Sequence, residues 1–544
     1  MVTRPPERAV TAAELGIPEA FNLAAYLVDR HLAEGRGSRV AILCGDEAVT
    51  YAQVAERSNR LGSALRALGV QREQRVALLL LDSPAFVYSF IGAIKIGAVP
   101  VPFNTLLRPP DYAYMLNDSR AAVAVVSAPL LPLLRAIPSD ELRYLREVVV
   151  TDDGAPMGTR SFDALLAGGS PELEIEPTSR DDVAFWLYSS GTTGFPKGTV
   201  HLHHDAVVTS RLFGAGVLGI TEDDRTFSVA KLFFAYGLGN ALTFPFSVGA
   251  TTILYPERPG AADIYAQIGR YRPTIFFWVP TGYAMMLAHR REDGRDFDLS
   301  SVRLAVSAGE ALPKALYERF QERFGVELLD GIGSTEALQT FISNRPGHVR
   351  PGSSGLVVPG YEAKVVDEHG REVPRGEVGD LWVRADSTCA YYWNKHERTK
   401  ETIVGHWLRT GDKFRQDADG YFWYAGRSDD MLKVGGIWVS PAEVESALLE
   451  HPAVLEVAVV GRQDRDGLTK PMAFVVLQDG HRPSDALSGE LRELARTRIA
   501  EYKRPRWLEF VPELPKTATG KIQRHKLRAL AEAIAGMAGR TRAV

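Results

Sequence analysis

The fold of the chain is decided by one stretch, Tyr188-Ser189-Ser190-Gly191-Thr192-Thr193-Gly194-Phe195-Pro196-Lys197-Gly198. An apolar run over residues 183–188 leads into it and is short enough to form a buried strand. The stretch itself holds three glycines, four small hydroxyl side chains and one lysine. Small residues expose backbone N–H groups, hydroxyls add donors and the ammonium adds a point charge, so this composition predicts a phosphate-binding loop.

The loop differs from a Walker A motif, in which a Ser or Thr that binds Mg²⁺ follows the lysine. Lys197 lies between Pro196 and Gly198, so an Mg²⁺ ligand has to come from another part of the chain. The alternative is a flexible surface loop rich in Gly and Thr. An apolar strand that leads directly into the loop favours the nucleotide site.

The length, composition and net charge of the chain are typical of a soluble globular protein. The 544 residues exceed what one core usually supports, so several subdomains are expected. The net charge of −4 gives no basic field for nucleic acid or an anionic membrane. Two cysteines exclude a disulfide framework, and no apolar run approaches the length of a membrane span. The first 19 residues lack a signal-peptide pattern, so the cytoplasm is the predicted location.

The order of strand and helix signals predicts an α/β protein. Strands and helices alternate over residues 40–126, which indicates a largely parallel sheet covered by helices. Two later predicted strands, 302–307 and 328–331, are followed by turns of small and acidic residues at 308–311 and 332–336, where open parallel sheets place ligands. Short alternating strands from about residue 360 predict an antiparallel β subdomain that ends at residue 428.

We therefore predict a large N-terminal domain, residues 1–428, with two parallel-type sheets and the β subdomain at about 360–428. A small mobile α+β domain is predicted over residues 429–544, with a disordered tail from Gly536.

Two clusters allow more than one interpretation. His201, His203 and His204 suggest a metal site, but the only nearby carboxylate is Asp205, which suits a helix N-cap. Packing and capping are therefore favoured over metal binding. Residues 231–246 combine glycines with aromatic side chains. This composition is compatible with the wall of a flat pocket for an apolar ring, and equally with a segment of the hydrophobic core.

Five motifs in fixed order carry a family resemblance. They are the loop 189–198, Gly333-Ser334-Thr335-Glu336, Thr410-Gly411-Asp412, Gly426-Arg427-Ser428-Asp429 and Pro515-Lys516-Thr517-Ala518-Thr519-Gly520-Lys521. Together they resemble the acyl-adenylate-forming superfamily of acyl-CoA ligases, firefly luciferases and peptide-synthetase adenylation domains, over about residues 20–530. The segment Ala230-Lys231-Leu232-Phe233-Phe234-Ala235-Tyr236-Gly237-Leu238-Gly239-Asn240 is similar to the benzoate–CoA ligases. One departure is Ile332, where the superfamily often has an aromatic residue that stacks on adenine.

The resemblance implies an ATP-dependent aryl-CoA ligase. Such an enzyme converts benzoate, or a small amino- or hydroxybenzoate, and ATP to an aryl-adenylate and pyrophosphate. It then transfers the acyl group to CoA and releases AMP. Mg²⁺ is the implied metal, and the aromatic acid, ATP and CoA are the implied partners, with no nucleic acid and no membrane.

The resemblance also assigns site residues. It gives catalytic roles to Lys521, Lys197, Thr335 and Glu336, and Glu336 would bind Mg²⁺. It gives nucleotide and CoA binding to Ser189, Ser190, Gly191, Thr192, Thr193, Gly194, Ser307, Ala308, Gly309, Glu310, Ala311, Asp330, Gly331, Ile332, Gly333, Ser334, Asp412, Arg427, Lys433, Gly435 and Gly436. The ring pocket would consist of Phe234, Ala235, Tyr236, Gly237, Gly309, Ile332, Gly333 and Leu338, and the hinge would be Asp429.

Three other functions stay open at this point. A medium-chain acyl-CoA ligase of the same superfamily would share every nucleotide motif. An aryl-acid adenylating enzyme would deliver its product to a carrier protein instead of free CoA. A non-catalytic nucleotide-binding protein is disfavoured by the presence of Lys197, Glu336 and Lys521. A monomer and a homodimer are equally compatible with the sequence.

Overall fold

A computed structural model describes residues 8–151, 156–189, 196–291, 294–427, 430–434, 437–464, 468–516 and 522–540. Within these ranges no helix has the length and apolarity that crossing a bilayer requires. The α-helices are Arg30–Ala33, Tyr51–Ala67, Pro84–Lys95, Pro109–Ser119, Leu131–Arg135, Phe162–Gly168, Asp205–Thr209, Ala235–Leu238, Phe244–Val248, Ala261–Tyr271, Pro280–Ala288, Lys314–Phe324, His396–Thr402, Pro441–Leu449, Asp485–Arg498 and Arg524–Arg540.

The largest sheet has nine strands and is parallel in its centre. Its strands, in spatial order, are Leu356–Val357, Thr340–Ser343, Leu328–Gly333, Leu304–Ser307, Ile275–Trp278, Arg225–Ser228, Thr251–Ile253, Val40–Cys44 and Glu47–Thr50. Antiparallel pairs occur only toward the two edges of the described sheet. The carboxyl ends of the central strands therefore lie along one side, where the predicted turns begin.

A second sheet of five strands is parallel throughout. Its strands are Val99–Pro102, Arg75–Leu79, Val123–Ser127, Glu147–Thr151 and Arg160–Ser161. Continuous apolar runs such as Val123–Ser127, which is buried at all five positions, suit strands covered by helices on both faces. The predicted α/β class with two parallel-type sheets is confirmed.

The two ends of the predicted phosphate-binding loop belong to a pair of antiparallel strands. Val183–Ser189 pairs antiparallel with Lys197–Leu202, and Ser189 lies opposite Lys197. A third strand, Tyr391–Tyr392, pairs with the other edge of Lys197–Leu202. Residues 190–195 of the loop lie outside the described ranges, but the hairpin places its two ends next to each other.

The β subdomain is antiparallel, as predicted. Its strands are Glu362–Val366, Val378–Arg384, Ile403–Val404, Trp407–Gln416 and Phe422–Arg427. The strand Trp407–Gln416 was not anticipated, and it carries Thr410-Gly411-Asp412 in its middle.

The C-terminal part combines the hairpin Leu432–Val434 and Ile437–Val439 with the sheet Val454–Gln463, Thr469–Leu477 and Trp507–Phe510. The disorder predicted from Gly536 is wrong as far as Arg540, because the helix Arg524–Arg540 includes it. Leu527 and Ala531 are buried in a cluster with side chains of the C-terminal sheet, which anchors this helix. The boundary between residues 428 and 429 stays a prediction, since both residues lie outside the described ranges.

Candidate active site

A cleft of about 500 Å³ opens at the carboxyl ends of the central strands. Four parts of the chain line it: the hairpin, the strand-to-turn junctions, the β subdomain and the C-terminal part. Of the predicted site residues it contains Ser189, Lys197, Gly309, Glu310, Ala311, Gly331, Ile332, Gly333, Ser334, Thr335, Glu336, Asp412 and Arg427. The fold thus brings together residues from four of the five motifs, and Ile522, the neighbour of Lys521, also lines the cleft.

The carboxylate of Glu336 is held through one of its two oxygens. Tyr392 donates its hydroxyl to Glu336 Oε1 at 2.6 Å, and Ser189 Oγ donates to the same oxygen at 3.4 Å. The backbone is fixed as well, because Cys389 N donates to Glu336 O at 2.7 Å.

A single carboxylate beside Ser189, where the predicted phosphate-binding loop begins, suits Mg²⁺, which is often carried mainly by substrate phosphates and water. Within the described ranges no group of three or more His, Cys, Asp or Glu side chains could hold a metal by itself. The donor set therefore matches a metal that arrives with the nucleotide.

Lys197 lines the same cleft as Glu336. Its ammonium is 4.3 Å from the centre of the Tyr392 ring, a cation–π contact. Burial lowers the pKa of Lys197, and the nearby Glu336 carboxylate opposes that shift. Tyr392 thus contacts both charged groups, and it was not identified as a site residue from the sequence.

The backbone of Thr335 is supported by a buried histidine. His201 Nε2 lies 2.8 Å from Thr335 O, and His201 Nδ1 lies 2.8 Å from Asp205 Oδ2. Both His201 and Asp205 are fully buried.

The other two histidines of the cluster also have structural partners. His203 Nδ1 accepts from Leu23 N at 3.0 Å, and burial lowers the pKa of His203 to about 4. His204 lies 3.0 Å from the carbonyl oxygens of Arg180 and Asp386. The predicted N-cap role of Asp205 is wrong by one residue, because the helix Asp205–Thr209 begins at Asp205 itself.

The predicted ribose residues lie side by side on two paired strands. Asp412 is opposite Arg427, and Arg427 Nη1 donates to Asp412 Oδ1 at 3.2 Å. Gly411 has φ +76°, and a Cβ there would lie 3.2 Å from the Arg427 guanidinium. A glycine therefore lets the guanidinium lie close to the strand and beside the carboxylate.

The predicted adenine segments follow two adjacent parallel strands. Ser307 ends the strand Leu304–Ser307 and lies opposite Asp330 in the next strand. Burial raises the pKa of Asp330 well above its ordinary value. The strand Leu328–Gly333 extends further than predicted and includes Ile332 and Gly333.

The predicted ring-pocket residues fall into two groups. Gly309, Ile332 and Gly333 line the cleft. The other five, Phe234, Ala235, Tyr236, Gly237 and Leu338, are not part of the cleft lining. Tyr236 donates its hydroxyl to Val306 O at 3.0 Å, and Gln339 Nε2 donates to Tyr236 O at 3.0 Å. The short helix Ala235–Leu238 is thus attached to the strands beside the cleft.

Several predicted residues lie outside the described ranges. They are Ser190, Gly191, Thr192, Thr193, Gly194, Asp429, Gly435, Gly436 and Lys521. Lys433 belongs to the strand Leu432–Val434, of which the backbone is described. Arg524, three residues after Lys521, pairs with Glu445 and lines the cleft.

Comparison with known proteins identifies the family. The profile of the AMP-binding enzyme family matches residues 29–393, and that of its C-terminal domain matches residues 443–521. The chain belongs to the AMP-binding enzyme family. The resemblance expected from the five motifs is confirmed.

Two relatives within this family are similar over nearly their whole length. The benzoate–CoA ligase of Thauera aromatica is 51% identical over 95% of this chain and 98% of its own. The 4-hydroxybenzoate–CoA/benzoate–CoA ligase of Rhodopseudomonas palustris is 44% identical over 93% and 94%.

Two solved structures of aryl-CoA ligases are also similar to this chain. The anthranilate CoA ligase AuaEII in complex with anthranoyl-AMP superposes with a TM-score of 0.93 at 48% identity, covering 97% of this chain and 100% of that one. A benzoate CoA ligase from Burkholderia xenovorans LB400 gives 0.85 at 47% identity, covering 93% and 100%.

Proposed function

We propose that the protein is an ATP-dependent aryl-CoA ligase that acts on benzoate or a small amino- or hydroxybenzoate. The observation that carries this proposal is the full-length similarity to a benzoate–CoA ligase, at 51% identity over 95% of the chain. The cleft supports it, because it gathers Lys197, Glu336 and Asp412 at the ends of parallel strands.

The first step joins two anions. A carboxylate oxygen of the acid attacks the α-phosphorus of ATP, the bond to the bridging oxygen breaks, and pyrophosphate leaves. Positive charge and N–H donors lower the barrier, since negative charge accumulates on the phosphate oxygens. Lys197 would supply such charge to the β- and γ-phosphates with Ser190, Thr192 and Thr193, and Mg²⁺ held by Glu336 would neutralise phosphate oxygens.

Other residues would orient the nucleotide. Thr335 would contact the α-phosphate, and Asp412 would accept hydrogen bonds from both ribose hydroxyls with support from Arg427. The segments 307–311 and 330–332 would line the adenine. Lys521 would contact the carboxylate and the bridging oxygen.

The second step transfers the acyl group. The thiol sulfur of CoA attacks the carbonyl carbon, the bond from that carbon to the AMP oxygen breaks, and the thiol loses its proton. We propose that residues 429–544 rotate about Asp429 between the steps, as the family resemblance implies. The segment with Lys433, Gly435 and Gly436 would then line the path of the thiol arm.

The substrate class follows from the ring-pocket residues. Phe234, Ala235, Tyr236, Gly237 and Leu338 carry no charge, which favours an uncharged ring over a second carboxylate. Purified protein with ATP, Mg²⁺ and CoA should convert benzoate, aminobenzoates and hydroxybenzoates faster than hexanoate, measured as AMP release. Faster turnover of hexanoate would support a medium-chain ligase instead.

The acceptor thiol is tested separately. We expect thioester formation with free CoA, detected by mass spectrometry. Adenylate formation without transfer to CoA would support a carrier protein as acceptor.

A cytoplasmic location is consistent with the two unpaired thiols, Cys44 and Cys389.

The domain rotation makes a distinct prediction for Lys521. Lys521→Ala should abolish adenylate formation, while transfer from a pre-made aryl-adenylate to CoA continues. Equal loss of both half-reactions would contradict the two-conformation mechanism.

A further inference from the structure

Lys197 and Glu336 carry opposite charges in one cleft without forming an ion pair. Among the described residues, no contact within 4.0 Å joins the Lys197 ammonium to the Glu336 carboxylate. Tyr392 contacts both groups instead. Its hydroxyl donates to Glu336 Oε1 at 2.6 Å, and its ring lies 4.3 Å from Lys197 Nζ.

Tyr392 is fixed from several directions. Its strand pairs with Lys197–Leu202, with Tyr392 opposite Thr199. Tyr392 N donates to Thr399 Oγ1 at 3.0 Å, and the residue is only 2% exposed. The backbone of Tyr392 is therefore held by strand pairing, and its buried side chain contacts both charged groups.

An ammonium and a carboxylate that face each other in a partly buried cleft attract strongly. A direct ion pair would satisfy both groups and oppose the binding of a triphosphate to Lys197. The phenol removes this competition, because its O–H satisfies the carboxylate and its ring face attracts the ammonium.

We propose that Tyr392 is a positioning residue that keeps Lys197 and Glu336 apart, so that Lys197 remains available to phosphate. This inference rests on the proposed function only in that the cleft binds ATP. The aryl substrate and the acceptor thiol play no part in it. A role in packing alone is the alternative.

The test is a double-mutant cycle on ATP binding without metal. ATP affinity is measured by isothermal titration calorimetry in EDTA for four proteins: wild type, Tyr392→Leu, Glu336→Gln and the double variant. We expect Tyr392→Leu to raise the Kd for ATP about tenfold, because the released carboxylate pairs with Lys197. In the Glu336→Gln background the same change should raise the Kd less than about twofold, since an amide has no charge for Lys197 to pair with.

Equal weakening in both backgrounds would overturn the proposal and leave Tyr392 as a packing residue. Tyr392→Phe keeps the ring and removes only the hydroxyl, so it should raise the Kd by an intermediate amount, about threefold. This variant carries the test alone if thermal unfolding shows that Tyr392→Leu is not folded, and an unchanged Kd in Tyr392→Phe would then refute the proposal. A wild-type protein that binds no ATP even when Mg²⁺ is present would refute the proposed function itself.

Discussion

His201 offers the sharpest test of how the site is supported. The change His201→Leu removes the donor to Thr335 O and leaves the buried Asp205 carboxylate without its nearest partner. Two effects are expected, one on stability and one on catalysis. A second change, Asp205→Asn, separates them.

The stability effect follows from burial. Removing His201 takes one hydrogen-bond partner from the buried Asp205 carboxylate, which keeps Leu202 N at 3.1 Å and His204 Nε2 at 3.2 Å, so the loss is about 1–3 kcal/mol. Asp205→Asn in the His201→Leu background removes that charge and keeps an oxygen that can accept from Leu202 N. The double variant should therefore recover part, about 1 kcal/mol, of the lost free energy of unfolding.

The catalytic effect follows from geometry. Without His201 the Thr335 carbonyl loses its donor, and the turn that carries Thr335 and Glu336 is less firmly placed. A misplacement of about 1 Å in such a turn can cost about 100-fold in rate. We expect pyrophosphate release to fall about 10- to 100-fold in the single and double variants alike.

The assay combines urea unfolding with pre-steady-state pyrophosphate release at saturating ATP. The expected pattern is recovery of stability in the double variant without recovery of rate. If the rate recovered together with stability, His201 would act only through the fold and the positioning argument would be refuted.

Two further predictions concern glycine and a buried acid. Gly237→Ala should lower the thermal midpoint and raise the KM for the aromatic acid, because the new Cβ would lie 2.0 Å from Lys231 O. Gly269→Ala, where a Cβ meets nothing within 4 Å inside a helix, is the matched control and should stabilise by up to about 1 kcal/mol. Burial raises the pKa of Asp82 from 3.8 to about 6, so the contribution of this carboxyl to stability falls as pH rises from about 4 to 6 and stays low above that range. Asp82→Asn, which keeps an acceptor for Leu232 N, should be more stable than wild type by up to about 3 kcal/mol at pH 7 and no more stable near pH 4, measured by urea unfolding.

Local signals in the sequence account for much of the fold. Thr50 and Gln53 form a capping box at the start of Tyr51–Ala67, and the Ser440 side chain caps Pro441–Leu449. These side chains satisfy backbone groups within a few residues, so the information is contained in a short window. Continuous apolar runs predicted the buried parallel strands for the same reason.

Contacts between distant parts of the chain were not predictable in this way. The hydroxyl of Tyr392 reaches a carboxylate 56 residues away, and His201 reaches a carbonyl 134 residues away. No spacing rule links such positions, because sheet pairing brings them together. The strand Trp407–Gln416 was missed because it contains Gly411 and several charged residues, and its strand structure comes from its two paired neighbours.

The pairing of Asp412 with Arg427 has a consequence for protein engineering. The two residues face each other at the end of one strand pair, and Arg427 is the last residue of its strand. A splice placed directly after Arg427 would exchange everything that follows without cutting the ladder that holds Asp412. C-terminal segments of other AMP-binding enzymes can be transplanted at this junction with the Asp412–Arg427 pair unaltered, so the hybrids would differ only in the residues that follow 427.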